Sequence, residues 1–388
     1  MAPGHLTVDA RRILGVQAVR AFAYGLGSVV LGVTLEREGY SALETGLVVG
    51  SLLAGAAVVS LALARHGDLI GRRRAYVLLL ALMAVAGTVF ALTAWLPALV
   101  AAALTGTIST ESNDSGPMTA LEQAMLPHAA TGTATRLFGT YNTIAVLGGA
   151  LGALAAGLPG GRLLLLAYPA AALAALALAV GLTGRVESGR ELEREPLPPL
   201  HESRTVVLRL SGLFALDSFA GGFVVQTYVA FWLTRAFDAQ PEVLGAVFFC
   251  AGLLQALSFQ VAVRLAERFG LLRTMVFTHL PSNLLLAALP LAPSLPVAIA
   301  VLFGRFALSQ MDVPTRQAYV VGIVGPTERV AAAAVTSTAR VVARPLAPLV
   351  VLPLLGGALG APFVIAGALK CVYDVGLYAL FRRVELRS

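Results

Sequence analysis

Charge is scarce in this sequence: Asp, Glu, Lys and Arg make up 13% of its 388 residues. A soluble domain needs roughly a quarter of its residues charged to cover its surface, so a water-facing exterior over the whole chain is excluded. Cysteine is nearly missing. The two present, Cys250 and Cys371, both fall inside predicted helices, so neither a disulfide framework nor a cysteine metal site is expected, and no cofactor. The sequence also lacks the Gly-x4-Gly-Lys-Ser/Thr loop that cradles ATP phosphates. It shows no nucleophile–base constellation and no metal-ligand cluster, which argues against an enzyme.

What it has in abundance is apolar sequence, at 57% hydrophobic residues and a mean hydropathy of +0.81. The apolar residues come in runs of about 20, long enough to cross a hydrocarbon core about 30 Å thick. Most runs lack the polar stripe that a soluble helix shows at every turn. Twelve spans are predicted: 13–35, 45–64, 75–95, 98–126, 136–157, 162–184, 208–234, 242–264, 274–293, 297–322, 329–353 and 361–381. With the N-terminus inside, the cytoplasmic segments and helix ends hold nineteen Lys+Arg, among them Arg72, Arg73, Arg74, Arg382 and Arg383. The outer loops hold three, Arg37, Arg162 and Arg235. That bias places both termini in the cytoplasm, in an inner (cytoplasmic) membrane. The net charge of +7 is then a matter of topology rather than of nucleic-acid binding. The first run follows Arg11 and Arg12 as a signal peptide would, but its length and Arg20 mark it as a membrane helix.

The one long polar stretch carries Glu187, Glu191, Glu193, Glu195, Pro196, Pro198 and Pro199. It reads as a solvated linker, 185–207, between six helices in 1–184 and six in 208–388. An internal repeat supports the division. At an offset of 199 residues Asp68, Gly71 and Arg74 fall on Glu267, Gly270 and Arg273, Pro127 on Pro326, and the polar break 109–117 on 308–316. The expected fold is an all-α membrane protein of twelve transmembrane helices in two six-helix bundles related by a pseudo-two-fold axis. Two such halves can rock about a midplane site and expose it to each side in turn.

An ionisable group near the bilayer centre costs about 2.5–3.5 kcal/mol, so it normally faces protein or water and has a partner. Spans 1, 4, 7 and 10 carry most of them: Arg20; Glu111, Asp114 and Glu122; Asp217; Arg305, Asp312 and Arg316. Span 11 adds Arg340 and Arg344, one turn apart, and span 12 adds Lys370 and Asp374, which at one turn are expected to neutralise each other. Arg20 and Asp217 sit at nearly equivalent repeat positions. They are expected either to meet across the pseudo-two-fold axis and close the cytoplasmic side, or each to pair within its own half. The stretch Thr107–Pro117, with Glu111, Asn113 and Asp114, and its counterpart Gln310–Arg316 are the least membrane-like parts of any span. They are read as the core of a solute or ion path, as kinks whose polar groups satisfy one another, or, for span 4, as a helix that ends early. Arg340 and Arg344 either hold an anionic solute or balance the carboxylates. Tyr24, Asn142 and Gln226 are candidates for added hydrogen bonds in the path. Carboxylates that alternately face dry protein and water can take up and release a proton, so Asp217, Asp312, Glu111 and Asp114 are candidates for proton coupling.

The loop Ala64-Arg-His-Gly-Asp-Leu-Ile-Gly-Arg-Arg-Arg74 resembles the G-x-x-x-D-R-x-G-R-R motif of the major facilitator superfamily. Asp68, Gly71, Arg72 and Arg73 match it, whereas Ala64 and Leu69 depart. Gly71 permits a tight turn and Asp68 can cap the helix that follows. Glu267, Gly270 and Arg273 repeat the pattern in the second half. With the twelve spans, the repeat and the linker, the resemblance covers the whole chain and implies a monomeric carrier of a small molecule. Gly139, Gly148, Gly152 and Gly157 in span 5 are spaced as in the antiporter motif of drug–proton exporters, with Ala153 where that motif has proline. Ordinary close helix packing is the other account of them. Those exporters usually carry an arginine in span 4, which is acidic here. The resemblance implies secondary transport, with protons as the coupling ion and efflux as the direction. An uptake or export carrier for an anionic metabolite or a cation, and a membrane receptor that transports nothing, are the alternatives.

Overall fold

Thr7 opens the first helix by accepting the Ala10 N–H on its hydroxyl at 3.2 Å, with Asp9 in the first turn where the helix dipole favours an acid. That helix, α1 (Val8–Arg37), stops before Gly39, which sits at φ +80°, and Ser41 and Glu44 then form a reciprocal capping box for α2 (Ala42–Ile70). The computed structural model describes residues 7–109, 111, 116–126, 134–187, 200, 202–325, 328–347 and 359–384. Within these it describes every side chain but those at 64, 66–69, 134–139, 185, 187 and 330. Among the described residues the chain is α-helix and short 3₁₀ turn, with no strand.

After α2 come α3 (Arg72–Leu92), α4 (Leu96–Ala103), α5 (Pro117–Met125), α6 (Ala134–Ala155), α7 (Ala167–Val180), α8 (Arg204–Gly222) and α9 (Gln226–Phe237). The order continues with α10 (Pro241–Phe269), α11 (Leu271–Ala288), α12 (Leu295–Ser309), α13 (Asp312–Gly322), α14 (Arg329–Ala343) and α15 (Ala361–Phe381). Gly71 and Gly270, 199 positions apart, both stand at positive φ (88° and 86°) at the N-caps of α3 and α11. The repeated motif is therefore a repeated sharp turn between two helices. The cap expected from Asp68 is instead the backbone turn at Gly71, because α2 runs on to Ile70; the Asp68 side chain lies outside the described residues.

Among the described residues nine helical segments are long and apolar enough to cross a membrane, and α6 and α14 contain shorter apolar stretches. The predicted span 98–126 is not one helix. α4 ends at Ala103, Gly106 turns at φ +68°, and Pro117, at the first position of α5, restarts the helix where its missing N–H is harmless. Residues 112–115, including Asn113 and Asp114, lie outside the described residues. Spans 7 and 10 are also interrupted, at 223–225 and at Gln310–Met311. The far part of span 11 and most of the predicted linker lie outside the described residues.

Contacts group the chain into two units. The first comprises Met1–Glu195 and Val225–Phe249, the second Pro196–Val224 and Cys250–Ser388. This differs from the expected halves in one place: α9 and the first turns of α10 pack with the N-terminal helices. Glycine makes that packing close. A Cβ at Gly32 of α1 would overlap the backbone of Thr227 and Phe231 in α9, and one at Gly157 would stand 2.8 Å from the Cα of Glu242. In the first unit α1 is central and packs on α6, α7 and α9. Gly25 of α1 and Gly152 of α6 let the two backbones touch: a Cβ on either would lie far inside van der Waals contact with Gly149 or Phe22. Arginines finish the helix ends here. Arg72 donates to the Ala124 carbonyl at 3.2 Å, Arg73 to Val180 at 2.5 Å, Arg12 to Gly181, and Arg162 to Phe90 and Thr93. Beside Arg162, burial pushes the Tyr40 phenol above its usual range while the guanidinium opposes the shift. In the second unit α11 packs on α12, α13 and α15, and α8 on α14 and α15, around an apolar core that includes Phe214, Met275, Tyr319, Tyr373 and Phe381.

The backbone contact at Gly152 leads to a comparison of two alanine variants. Gly152→Ala is expected to destabilise the protein by about 1–3 kcal/mol, because α1 must retreat from α6. Gly212→Ala, where an added Cβ meets nothing within 4 Å, is expected to leave the melting temperature unchanged or higher. Thermal unfolding of both in detergent checks this, and an equal loss in the two variants would sink the packing account.

Candidate functional site

Two clusters of buried charge stand out, one in each unit. In the first, α1 presents Gln17, Arg20 and Tyr24 at one-turn spacing, so all three face the same neighbours. Arg20, 1% exposed, meets Glu122 of α5, which is fully buried. The guanidinium donates from Nε to Oε1 at 3.1 Å and from a terminal nitrogen to Oε2 at 2.6 Å, a bidentate pair. Tyr76 of α3 and Tyr141 of α6 donate their hydroxyls to the same carboxylate at 2.6 and 2.5 Å. Gln17 and Thr119 accept from Arg20, and the Tyr24 ring lies under it at 5.1 Å. Four helices are joined through one satisfied ion pair.

Of the two expectations for Arg20, the structure matches pairing within its own half, with Glu122. Tyr24 donates instead to the Thr107 carbonyl at 3.0 Å and, with Tyr168, braces the broken segment after α4. Glu111 is half-buried there, and its amide and carbonyl both bond to the Ser109 hydroxyl. Asn142 is exposed on α6, and Gln226 is half-buried at the start of α9. A cleft of about 260 Å³ in this unit is lined by Thr34, Arg37, Glu38, Arg162 and Glu242 and contains none of the buried cluster.

The second unit holds the denser cluster. Asp217 of α8, 3% exposed, accepts from Lys370 of α15 at 2.5 Å and from Arg340 of α14 at 3.2 Å. Arg316 of α13 approaches the same carboxylate at 3.7 Å while donating to Asp312, one turn away, at 2.5 Å. Lys370 is the only lysine in the chain. The expected Lys370–Asp374 pair is replaced by partners on other helices. One turn apart on α15, the two side chains reach different neighbours: Lys370 meets α8, whereas Asp374 meets His279 at 2.9 Å and Asn283 at 2.8 Å on α11. His279 Nε2 lies 3.9 Å from Asp217.

His279 and Asn283 escaped the sequence reading. The signal available was a polar pair at one-turn spacing in an apolar helix, the mirror of Lys370 and Asp374. Arg340 balances carboxylates, the second of its two expected roles, yet its side chain is 29% exposed against 11% for Arg316 and 10% for Lys370. Arg344 is half-buried a turn further on. Glu267 and Arg273 flank the Gly270 turn, away from this cluster in sequence.

Breaking a buried ion pair costs more than deleting it, since the survivor keeps its charge without compensation. Glu122→Gln is therefore expected to destabilise by about 3–5 kcal/mol. Tyr76→Phe, which removes one hydrogen bond to the carboxylate, is expected to cost about 1.5–3 kcal/mol. Unfolding measured in detergent ranks them, and a Glu122→Gln protein as stable as wild type would show that the pair does not hold α1 to α5.

The chain is similar to known proteins in sequence and in fold. The chain is 26% identical to the uncharacterized membrane protein YJR124C of Saccharomyces cerevisiae, over 95% of this chain and 93% of that protein. Its fold is similar to that of the nucleoside transporter NupG, with a TM-score of 0.76, 13% identity, and coverage of 96% and 99% of the two chains. The inward-open xylose transporter XylE from E. coli matches with a TM-score of 0.71, 15% identity and 96% coverage of each chain. The human organic anion transporter MFSD10 (TETRAN) gives 0.64 at 18% identity, covering 95% of this chain and 99% of that one. The sequence profile described as the Major Facilitator Superfamily matches residues 13–348. Together with the helical fold, that match makes this chain a member of the Major Facilitator Superfamily of small-solute transporters.

Proposed function

We propose that the chain is a secondary active carrier that moves a small solute by alternating access, with protons as the coupling ion. The observation that carries this reading is the second-unit cluster. Three carboxylates, three cations and an imidazole are gathered inside an apolar helical unit around Asp217. Charges at such depth are expensive to keep for stability alone. A network whose protonation rearranges its own ion pairs can tie a conformational change to a proton gradient. The broken segments after α4 and between α12 and α13 fit a polar path, since irregular backbone at membrane depth is tolerated where it borders protein or water. The proposed setting is the cytoplasmic membrane, with both termini inside as the arginine bias implies and the carrier acting as a monomer.

Efflux by exchange for protons is the direction that the resemblance of the α6 glycines supports. Gly148 and Gly152 also pack α6 on α1, a role that serves either direction. An anionic solute is the second reading, favoured by the partial exposure of Arg340 within the cluster.

A thermal-shift screen of metabolites and drugs identifies a solute by its stabilisation of the folded protein. Flux of that solute in proteoliposomes under an imposed pH gradient then tests coupling. Asp217→Asn leaves Lys370 and Arg340 without their shared carboxylate and is expected to reduce gradient-driven flux by about tenfold or more, equivalent to about 1.4 kcal/mol. Undiminished gradient-driven flux in Asp217→Asn would remove the cluster from the mechanism.

A further inference from the structure

We propose that His279 is the seat of the proton in the second unit, its Nε2 taking the proton and Asp217 receiving the new charge. This rests on the proton-coupled reading above and moves the titrating atom from the carboxylates to the imidazole.

Start with the hydrogen that a neutral ring already has. His279 Nδ1 lies 2.9 Å from Asp374 Oδ1, and a nitrogen lone pair and a carboxylate oxygen do not meet at that distance without a hydrogen between them. Asn283 Nδ2 donates to the other Asp374 oxygen at 2.8 Å and holds the carboxylate in place; it also stands 3.1 Å from Nδ1, yet with Asp374 ionised the hydrogen on the shorter Nδ1–Oδ1 line belongs to the ring. The ring hydrogen is thereby assigned to Nδ1, in the way that a fixed acceptor selects a tautomer. Nε2 then carries its lone pair toward Asp217 Oδ1 at 3.9 Å, beyond hydrogen-bond length. Two acceptors face each other with no hydrogen between them. One proton from water placed on Nε2 turns this into an N–H aimed at a carboxylate; its return to water restores the neutral ring, and no other bond changes.

The surroundings leave this as the open position. Asp217 already takes Lys370 on Oδ1 and Arg340 on Oδ2, with Arg316 at 3.7 Å, and Arg316 is shared with Asp312. Tyr373 of α15 sets its ring edge-on to the imidazole at 5.8 Å. From α12, the Arg305 carbonyl accepts from Ser282 of α11 while its guanidinium lies over the Phe306 ring. Lys370, Arg316 and Arg340 balance Asp217, Asp312 and Asp374 as long as the ring is neutral. Protonation adds one positive charge, and the Nε2–H competes with Lys370 for Asp217 Oδ1 while drawing the carboxylate's charge away from Arg340 on Oδ2. Those two bonds tie α8 to α15 and α14, so loading the proton loosens the contacts of α8 within its unit.

The test uses the full-length chain in lipid nanodiscs, labelled with ¹⁵N-histidine. His5, His66, His128 and His201 are replaced by glutamine so that one imidazole remains. Ring nitrogen shifts are followed from about pH 8 to about pH 5. The expected result is a single hydrogen on Nδ1 at the high end and a second, on Nε2, on acidification, with the Nδ1 preference lost in Asp374→Asn. A hydrogen on Nε2 at the high end, or a ring still singly protonated at the low end, would overturn the proposal. Should the four-histidine variant not fold, the difference between wild-type and His279→Gln spectra reports the same ring. No solute enters the readout, so a failure of proton-driven flux with this titration intact would refute the coupling reading and leave the site standing.

Discussion

Asp217 is the point on which the second unit depends. A single carboxylate in an apolar helical bundle is held by Lys370, Arg340 and Arg316 from three different helices. Each of those cations is tolerable at that depth because the acid is there, and the acid because they are. Such mutual compensation makes the cluster both a structural tie and a sensitive one. Any change in proton occupancy or in a bound solute redistributes the same bonds, because a low-dielectric interior screens the difference poorly.

The first unit solves the same electrostatic problem differently. Arg20 and Glu122 form one bidentate pair, and two tyrosines, a threonine and a glutamine satisfy the remaining positions around it. Carboxylate and guanidinium are both almost wholly buried. The result is a clamp among α1, α3, α5 and α6. The two units thus satisfy buried charge in different ways, by a saturated pair in one and by a multiply shared carboxylate in the other.

Backbone proximity is the second constraint. The glycines of α1 and α6 bring helices to contact distances that no Cβ would permit, which in an apolar medium is a main source of helix association. The same logic brings Thr227 and Phe231 of α9 onto Gly32. Sequence order alone would assign α9 to the second half; small side chains at the right places assign it to the first unit.

The apolar runs, the arginine-rich turns and the 199-residue repeat were legible without coordinates, because length, hydropathy and glycine spacing are local properties of the chain. They led to the helical class, to the family and to the sharp turns at Gly71 and Gly270. The identity of the buried charged residues was equally legible, since an ion in an apolar run is conspicuous wherever it falls. Their partners were not. Lys370 and Asp374 looked like a local pair at one-turn spacing, and Arg20 and Asp217 looked like equivalents that could meet. Tertiary packing sent Lys370 to α8, Asp374 to His279 on α11, and Arg20 to Glu122 on α5. Which oppositely charged groups meet depends on how helices far apart in sequence rotate against one another, and hydropathy and spacing within a single helix carry no record of that rotation.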